Sequence, residues 1–217
     1  MALKLLDNGI TIKAIKPKQF YLNNQVHKLN DIEYYVVLSR GDLMDKLREN
    51  YDSNKLVTTF IKDMTGLFIE YNDFNKPISS WDVSNVEYMS LMFCCNVSFN
   101  QDISMWDVSN VKNMSYMFAK AQNFNQDISK WDVSQVKDMR MMFGSAKKFN
   151  CNISNWNVSN VVNMRCMFDN AINFNQDISN WNIKNLKDME FFMSENTSFN
   201  KIMILLKWDL SNKITKN

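Results

Sequence analysis

Aspartate is the residue of this sequence whose spacing is best suited to chemistry, because it recurs in two columns. The first column holds Asp102, Asp127 and Asp177, with Asn152 between them, and the second holds Asp82, Asp107 and Asp132, followed by Asn157 and Asn182. Stacked carboxylates about 5 Å apart repel one another unless a cation such as Ca²⁺ or a backbone donor lies among them. Asparagine replaces aspartate more readily in a turn than at a cation site. The sequence therefore favours side chains that accept backbone N–H groups, and it predicts no metal site.

Catalysis needs side-chain combinations that the sequence does not offer. His27 is the single histidine and lies outside the repeated part of the chain. This excludes a two-histidine metal site and a serine or cysteine nucleophile paired with histidine in the repeats. The sequence also lacks a glycine-rich phosphate-binding loop. It therefore predicts a protein that is not an enzyme and that has no cofactor.

Cysteine spacing and net charge restrict the compartment and the partners. The four cysteines, Cys94, Cys95, Cys151 and Cys166, form neither a CxxC pair nor a disulfide-dense pattern, which favours free thiols in a reducing compartment. The formal net charge of +2 gives no overall attraction to nucleic acid or to an anionic membrane. No apolar run approaches the roughly 18 residues of a membrane span, and residues 1–10 do not resemble a secretory signal. We expect a cytoplasmic protein with no nucleic-acid or membrane partner.

A repeat of 25 residues must position all these side chains. Phenylalanine recurs at this step from Phe74 to Phe199 and tryptophan from Trp81 to Trp181, with isoleucine, valine and methionine columns in phase. The Met and Trp columns are interpreted as core. One unit buries about seven large apolar side chains, worth about 10 to 20 kcal/mol, which does not offset the ordering of its backbone. The units must therefore stack, and the period predicts a solenoid.

Apolar spacing within a unit predicts its secondary structure. Val111, Met114, Met117 and Ala121 follow a helical spacing, so we expect a helix of two to three turns that Asn110 caps. Residues 124–133 predict a short strand. Strands stacked about 4.8 Å apart beside wider helices would curve the stack. A 3₁₀-helix remains the alternative for the helical part.

The unit FNQDISKWDVSQVKDMRMMF (residues 124–143) resembles the 25-residue repeat of BspA-like leucine-rich-repeat proteins, which occur in mycoplasma and other bacterial surface lipoproteins, in protists and in large DNA viruses. The resemblance covers about residues 50–212. Residues 8–15, 33–39 and 56–68 are similar to lead-in segments of this family. The resemblance implies a right-handed, leucine-rich-repeat-like α/β solenoid with a binding role, often adhesion or partner recognition. It transfers no catalytic residue, and for a viral member it implies the host cytoplasm.

Both ends of the chain depart from the repeat. Residues 1–49 predict an N-terminal cap, with a strand at 10–15, a hairpin at 21–29 around Asn23 and Asn24, a strand at 33–38 and a helix at 42–48 capped by Ser39. Residues 50–212 form the repeat of about six turns, and 213–217 form a tail. The apolar run 202–206, with Trp208 out of phase, either caps the stack or leaves an end that associates weakly with another chain.

Binding surfaces are predicted at positions of the 25-residue unit that vary from one repeat to the next while the core positions stay constant. The first candidate is an apolar column: Leu91, Tyr116, Met141, Cys166 and Phe191. On an α-helix this column would face outward as an interface, and on a 3₁₀-helix it would lie between turns. The second candidate is a basic strip that either meets an acidic partner or is a solvated face: Lys112, Lys137, Arg140, Lys147, Lys148, Arg165 and Lys187.

These features together predict a non-catalytic protein–protein interaction module whose protein partner the sequence does not identify. The alternative is a structural or surface component that acts in adhesion through self-association, by the C-terminal face or by the helical face. A discrete stoichiometric partner would favour the first function, and self-association would favour the second.

Overall fold

Two small sheets, each containing an antiparallel strand pair, begin the chain in the computed structural model, which describes residues 1–193. Strand β1 (Leu3–Leu5) pairs with β2 (Ile12–Ala14), and β3 (Val26–Leu29) pairs with β4 (Ile32–Val36). A 3₁₀ turn, Lys18–Tyr21, connects the two sheets. The strands expected at 10–15 and 33–38 are therefore present as β2 and β4.

The predicted hairpin at 21–29 is wrong, because the turn lies further along the chain. The connection between β3 and β4 is Asn30 and Asp31, whose φ angles are 50° and 61°. Asparagine and aspartate tolerate this left-handed backbone, which a tight two-residue hairpin requires at both central positions. The pair Asn23–Asn24 instead precedes β3, where Asn24 Oδ1 accepts the N–H of Val26 at 3.0 Å.

The cap is continuous with the first repeat unit. Helix α1 (Arg40–Arg48) begins at Ser39, whose hydroxyl accepts the N–H of Asp42 as predicted. Strand β5 (Leu56–Val57) pairs in parallel with β4. Arg40 Nη2 donates to the carbonyl of Thr65 at 2.6 Å, so α1 also binds the outer edge of the first unit. Leu43 of α1 packs into the same core as the repeats.

Successive repeat units stack in register through backbone hydrogen bonds, and we call each 25-residue unit a coil. Parallel single-residue bridges recur at the same position of each coil: Asp63, Tyr88, Asn113, Asp138, Asn163 and Asp188. Some N–H groups bond carbonyls of the preceding coil, as Lys112 does with Glu87 at 2.8 Å and Asn123 does with Val97 at 3.3 Å. Other N–H groups bond the following coil.

The predicted helix and strand of each coil are wrong, because residues 58–193 contain neither an α-helix nor a strand longer than one bridging residue. Consecutive turns closed by backbone bonds between residues i and i+3 take their place at 103–106, 108–111, 114–117 and 118–121. Asn110 caps no helix and donates from Nδ2 to the carbonyl of Ser84. The predicted curvature of the stack depended on helices that are wider than the stacked strands. Residues 58–193 contain no α-helix, so this reason for curvature does not apply.

The physical reason lies in the partners of the N–H groups. Met114, Tyr116 and Phe118 donate to carbonyls of the next coil at 3.0, 2.8 and 2.9 Å, where an α-helix would use its own carbonyls four residues back. An apolar side chain at every third residue suits a chain of three-residue turns as well as it suits a helix. The sequence period alone therefore does not separate the two structures.

Aromatic rings form the centre of the stack. The coils between Phe68 and Phe174 each stack two phenylalanine rings face to face, as Phe118 and Phe124 do with centroids 3.9 Å apart. The same rings repeat along the stack, and the step from Phe118 to Phe143 is 5.7 Å. The Trp and Met columns are buried with them, as predicted, from Trp81 to Trp181 and from Met92 to Met167. The predictions for 202–206, Trp208, Phe199 and the tail lie outside the described residues.

Candidate interaction surface

The apolar column predicted as an interface lies at one special backbone position of each coil. Its five residues all have a left-handed φ between 50° and 59°: Leu91, Tyr116, Met141, Cys166 and Phe191. In the first coil Gly66 occupies this position, with φ 60°. Glycine adopts this conformation without strain, whereas an L-residue loses about 1 kcal/mol or more there. We call these five residues the ridge.

The ridge is at the surface. Phe191 is 56% exposed and the other four side chains are partly exposed. The burial that would have placed Tyr116 and Phe191 between turns is therefore not found. The outward position arises from the left-handed residue of each turn, and neither the α-helical nor the 3₁₀ geometry of the prediction produces it.

A second left-handed column four residues further on holds different side chains. Cys95, Lys120, Ser145 and Asn170 have φ between 56° and 62°. Three of these side chains are small, and three are polar or charged. Large apolar side chains are therefore confined to the ridge, although the backbone is equally left-handed at both columns.

Arginine side chains of the basic strip lie over ridge rings. The guanidinium carbon of Arg140 is 5.4 Å from the ring centroid of Tyr116, and that of Arg165 is 5.3 Å from the ring centroid of Phe191. Both distances are within the range of a cation–π contact. Tyr116 and Arg140 are also joined through the backbone, because the Tyr116 N–H donates to the Arg140 carbonyl. The ridge and the arginines of the basic strip thus form one surface.

Three members of the basic strip carry acidic partners. Lys112 Nζ lies 2.5 Å from Glu87 Oε2, Arg140 pairs with Asp138 at 3.8 Å, and Arg165 pairs with Glu190. The Lys112 ammonium lowers the pKa of the Glu87 carboxyl, and Glu87 in turn raises the pKa of Lys112. Within residues 1–193, no ion pair engages the other four, which are exposed: Lys137, Lys147, Lys148 and Lys187.

The aspartate columns close turns, as the sequence predicted. Oδ1 of Asp102 and of Asp127 accepts the N–H of the serine two residues later, at 2.9 Å in each case. Asn152 makes the same bond to Ser154 at 3.0 Å. Because asparagine and aspartate share this bond, they exchange within the column. In the described part of the chain, no three His, Cys, Asp or Glu side chains converge to a metal-binding group.

His27 lies in the cap, whereas Cys166 is itself a ridge residue beside Arg165. The His27 ring packs against Phe20 and Tyr21, and its Nε2 donates to the Asn24 carbonyl at 2.8 Å. Cys94 is buried, Cys95 and Cys151 are partly exposed, and no cysteine among the described residues is in a disulfide. Burial raises the pKa of the Cys151 thiol and that of the Cys166 thiol.

Side chains also bond one coil to the next, and most of these bonds escape sequence reasoning. The indole Nε1 of Trp131 donates to the carbonyl of Ile103 at 3.1 Å, and Trp156 and Trp181 repeat this bond. The Oδ1 of Asn100 accepts the N–H of Asn125 at 2.9 Å. Asn75, Asn125 and Asn150 make the same bond to the next coil, and we call these four residues the asparagine column. In the sequence, the only indication of these inter-coil bonds is that Asn and Trp recur at fixed positions of the repeat.

These coils define a repeat protein in which every unit is bonded to its neighbours by backbone and side chain. The chain belongs to the family described as "Mycoplasma protein of unknown function, DUF285", whose model matches residues 43–150 and 126–217. The first matched residue, 43, lies within α1, so the match includes the end of the cap. Comparison with the curated proteins and with the solved structures gave no match.

Among residues 1–193, no helix combines the length and the apolar character that crossing a membrane requires.

Proposed function

We propose that this protein is a non-catalytic protein–protein interaction module, and that its stacked coils form a leucine-rich-repeat-like solenoid of the BspA-like kind. The partner binds the ridge together with the guanidinium groups of Arg140 and Arg165. The observation that carries the proposal is that the left-handed position holds an apolar side chain in five successive coils, and that four of these side chains are large.

The backbone strain at the ridge supports a binding role for its apolar side chains. A residue with a left-handed φ costs about 1–2 kcal/mol unless it is glycine, and asparagine tolerates it better than most. Gly66 occupies the first such position, so glycine is compatible with the fold there. Leu91, Tyr116 and Met141 therefore occupy positions where the fold itself favours glycine, and contact with a partner accounts for their apolar side chains.

The chemistry of the ridge suits a protein partner. Aromatic and arginine side chains dominate the energetic centres of protein interfaces, and the ridge presents Tyr116 with Arg140 and Phe191 with Arg165. The unpaired ammonium groups of Lys137 and Lys187 flank these contacts. We infer a partner surface with apolar side chains at its centre and carboxylates at its edge.

Affinity capture with matched variants tests this function. Tyr116→Glu adds one negative charge to the ridge, and Lys130→Glu is the more severe control, because it changes the net charge by two at an exposed residue outside the ridge. We expect a stoichiometric partner that the wild type and Lys130→Glu capture equally and that Tyr116→Glu loses by tenfold or more. A partner that both variants bind equally would contradict the ridge as the interface.

Light scattering tests the second candidate, a structural or adhesion component that self-associates through the same surface. If the chain forms dimers or larger assemblies that Tyr116→Glu dissolves, then self-association is the function of the ridge. The observation that favours this candidate is the repetitive surface, because identical coil geometry lets two copies meet over several coils.

We also propose a cytoplasmic location, which is the host cytoplasm if the chain is viral. The four unpaired cysteines support it, because a reducing compartment preserves free thiols.

A further inference from the structure

Two neighbouring cysteines interrupt the repeat at the second left-handed column. In other coils the corresponding pairs are Ala119 with Lys120 and Gly144 with Ser145, so no thiol is needed for this turn. Cys94 and Cys95 are the two central residues of a turn closed by the N–H of Asn96 and the carbonyl of Phe93 at 3.1 Å. The turn directs both side chains to one place, and their Sγ atoms lie 3.7 Å apart.

We propose that Cys94 and Cys95 form a thiol-modification site, which hydroperoxides oxidise to a reversible vicinal disulfide. The Sγ atoms must approach by about 1.7 Å to reach the S–S bond length, which rotation of the two side chains supplies. Backbone bonds fix the turn on both sides, because the Cys95 N–H donates to Ala119 of the next coil at 2.8 Å and the Cys94 N–H donates to Leu91 at 3.1 Å. The thiols therefore meet without a change of fold.

The two sulfurs have different roles in the reaction. Cys95 is partly exposed and Cys94 is 8% exposed, so the peroxide reaches Cys95 first. The Cys95 thiolate attacks one peroxide oxygen, the O–O bond breaks, and Cys95 becomes a sulfenic acid. The Cys94 sulfur then attacks Cys95 Sγ, the S–S bond forms, and the sulfenic oxygen leaves as water. In total two thiols lose two electrons and two protons, and one hydrogen peroxide becomes two waters.

Ring strain makes the product reversible. Neighbouring Cα atoms across a trans peptide are about 3.8 Å apart, whereas disulfides ordinarily join Cα atoms at about 4.4–6.8 Å. A strained disulfide has a less negative reduction potential and returns readily to thiols. The Cys94 N–H closes a turn that begins at the ridge residue Leu91. Ring strain in the disulfide is therefore also transmitted to the backbone beside Leu91.

Mass spectrometry of peptides prepared from the treated full-length chain tests the proposal. After hydrogen peroxide treatment and alkylation of the remaining thiols, we expect the peptide that holds Cys94 and Cys95 to lose two hydrogens and to resist alkylation. Reduced glutathione should restore at least nine-tenths of the alkylatable thiols. Cys151 and Cys166, in the same sample, should remain single alkylated thiols.

Conservative variants complete the test. Cys94→Ser and Cys95→Ser should each abolish the two-hydrogen loss; Cys95 should then accumulate sulfenic acid or a glutathione adduct in Cys94→Ser, whereas the buried Cys94 should remain mostly a thiol in Cys95→Ser. Separate overoxidation of the two cysteines in the wild type would overturn the proposal. Disulfides to Cys151 or Cys166, or between two chains, would also overturn it, as would thiols that survive peroxide while those of Cys151 and Cys166 react.

Discussion

The guanidinium of Arg140 covers the ring of Tyr116 at 5.4 Å, while the carbonyl of Arg140 accepts the N–H of the same tyrosine at 2.8 Å. Tyr116 is thus held by its backbone in the left-handed turn and by its ring against the next coil. The pair explains how a strained residue keeps a defined side-chain position at the surface. Substitutions of Tyr116 can therefore test its left-handed backbone conformation.

The left-handed backbone predicts an inverted order of stability for two substitutions. Tyr116→Gly should be more stable than Tyr116→Ala by about 1 kcal/mol, because glycine adopts φ 59° without strain. In an α-helix the order is the opposite by a similar amount. Urea unfolding of the two variants measures the difference.

Lys137 provides the matched control, since it is exposed and its φ is not among the positive values. Lys137→Gly should be less stable than Lys137→Ala. If alanine is the more stable replacement at Tyr116 as well, the left-handed assignment of the ridge is wrong.

The asparagine column predicts that single exposed amides stabilise the stack. Asn125 Oδ1 accepts the N–H of Asn150 at 2.8 Å, so Asn125→Ala should reduce the free energy of unfolding by about 0.5–1.5 kcal/mol. Asn125→Asp keeps an acceptor at this position and should lose less. Chemical denaturation measures both.

Asn155 serves for comparison, because it is exposed and no described hydrogen bond engages its side chain. Asn155→Ala should change stability by less than about 0.5 kcal/mol. Equal losses at Asn125 and Asn155 would mean that the inter-coil amide bonds contribute nothing.

A buried carboxylate joins the cap to the coils and predicts a double-mutant effect. Asp82 is 1% exposed, and its Oδ2 has Lys13 of β2 at 3.8 Å as its charge partner while it accepts no hydrogen bond. Lys13→Met should cost about 3 kcal/mol, because it leaves a buried carboxylate without its counter-charge.

The double variant Lys13→Met with Asp82→Asn should recover much of this loss. The amide oxygen of asparagine still accepts from the N–H and hydroxyl of Ser84, and it needs no cation. Thermal unfolding of the four proteins gives the coupling energy. A double variant as unstable as the sum of the single variants would show that the charge pair does not hold the cap.

Periodicity made the core of this protein predictable from its sequence. The phenylalanines from Phe74 to Phe174 and the tryptophans from Trp81 to Trp181 are all buried, because identical environments recur at identical spacing. The local conformation was not predictable in the same way. Val111, Met114 and Met117 have the spacing of a helix, yet the Met114 N–H bonds Asp138 of the next coil, and those of Val111 and Met117 close turns with carbonyls three residues back. That choice depends on tertiary contacts which one unit does not contain.

The sequence predicted which residues form the ridge, but it did not predict their left-handed backbone or their contacts. Its members stand out because they vary in shape while the residue that follows each of them is methionine from Met92 to Met167. Their left-handed backbone could have been suspected only from Gly66 in the first coil. The contacts of Arg140 and Arg165 with ridge rings depend on the offset between coils, which the sequence alone leaves open.

Burial of Cys94 predicts an unusual pH dependence of alkylation. Desolvation, together with the neighbouring Cys95, raises the pKa of the Cys94 thiol to about 12. Only the thiolate reacts with iodoacetamide, so the rate for Cys94 should rise about tenfold per pH unit from pH 7 to about 11 without levelling off. In urea, where the burial is lost, the same rate should level off near pH 9. Fragment masses that separate Cys94 from Cys95 report each thiol, and a folded-state plateau below about pH 10 would contradict the burial of Cys94.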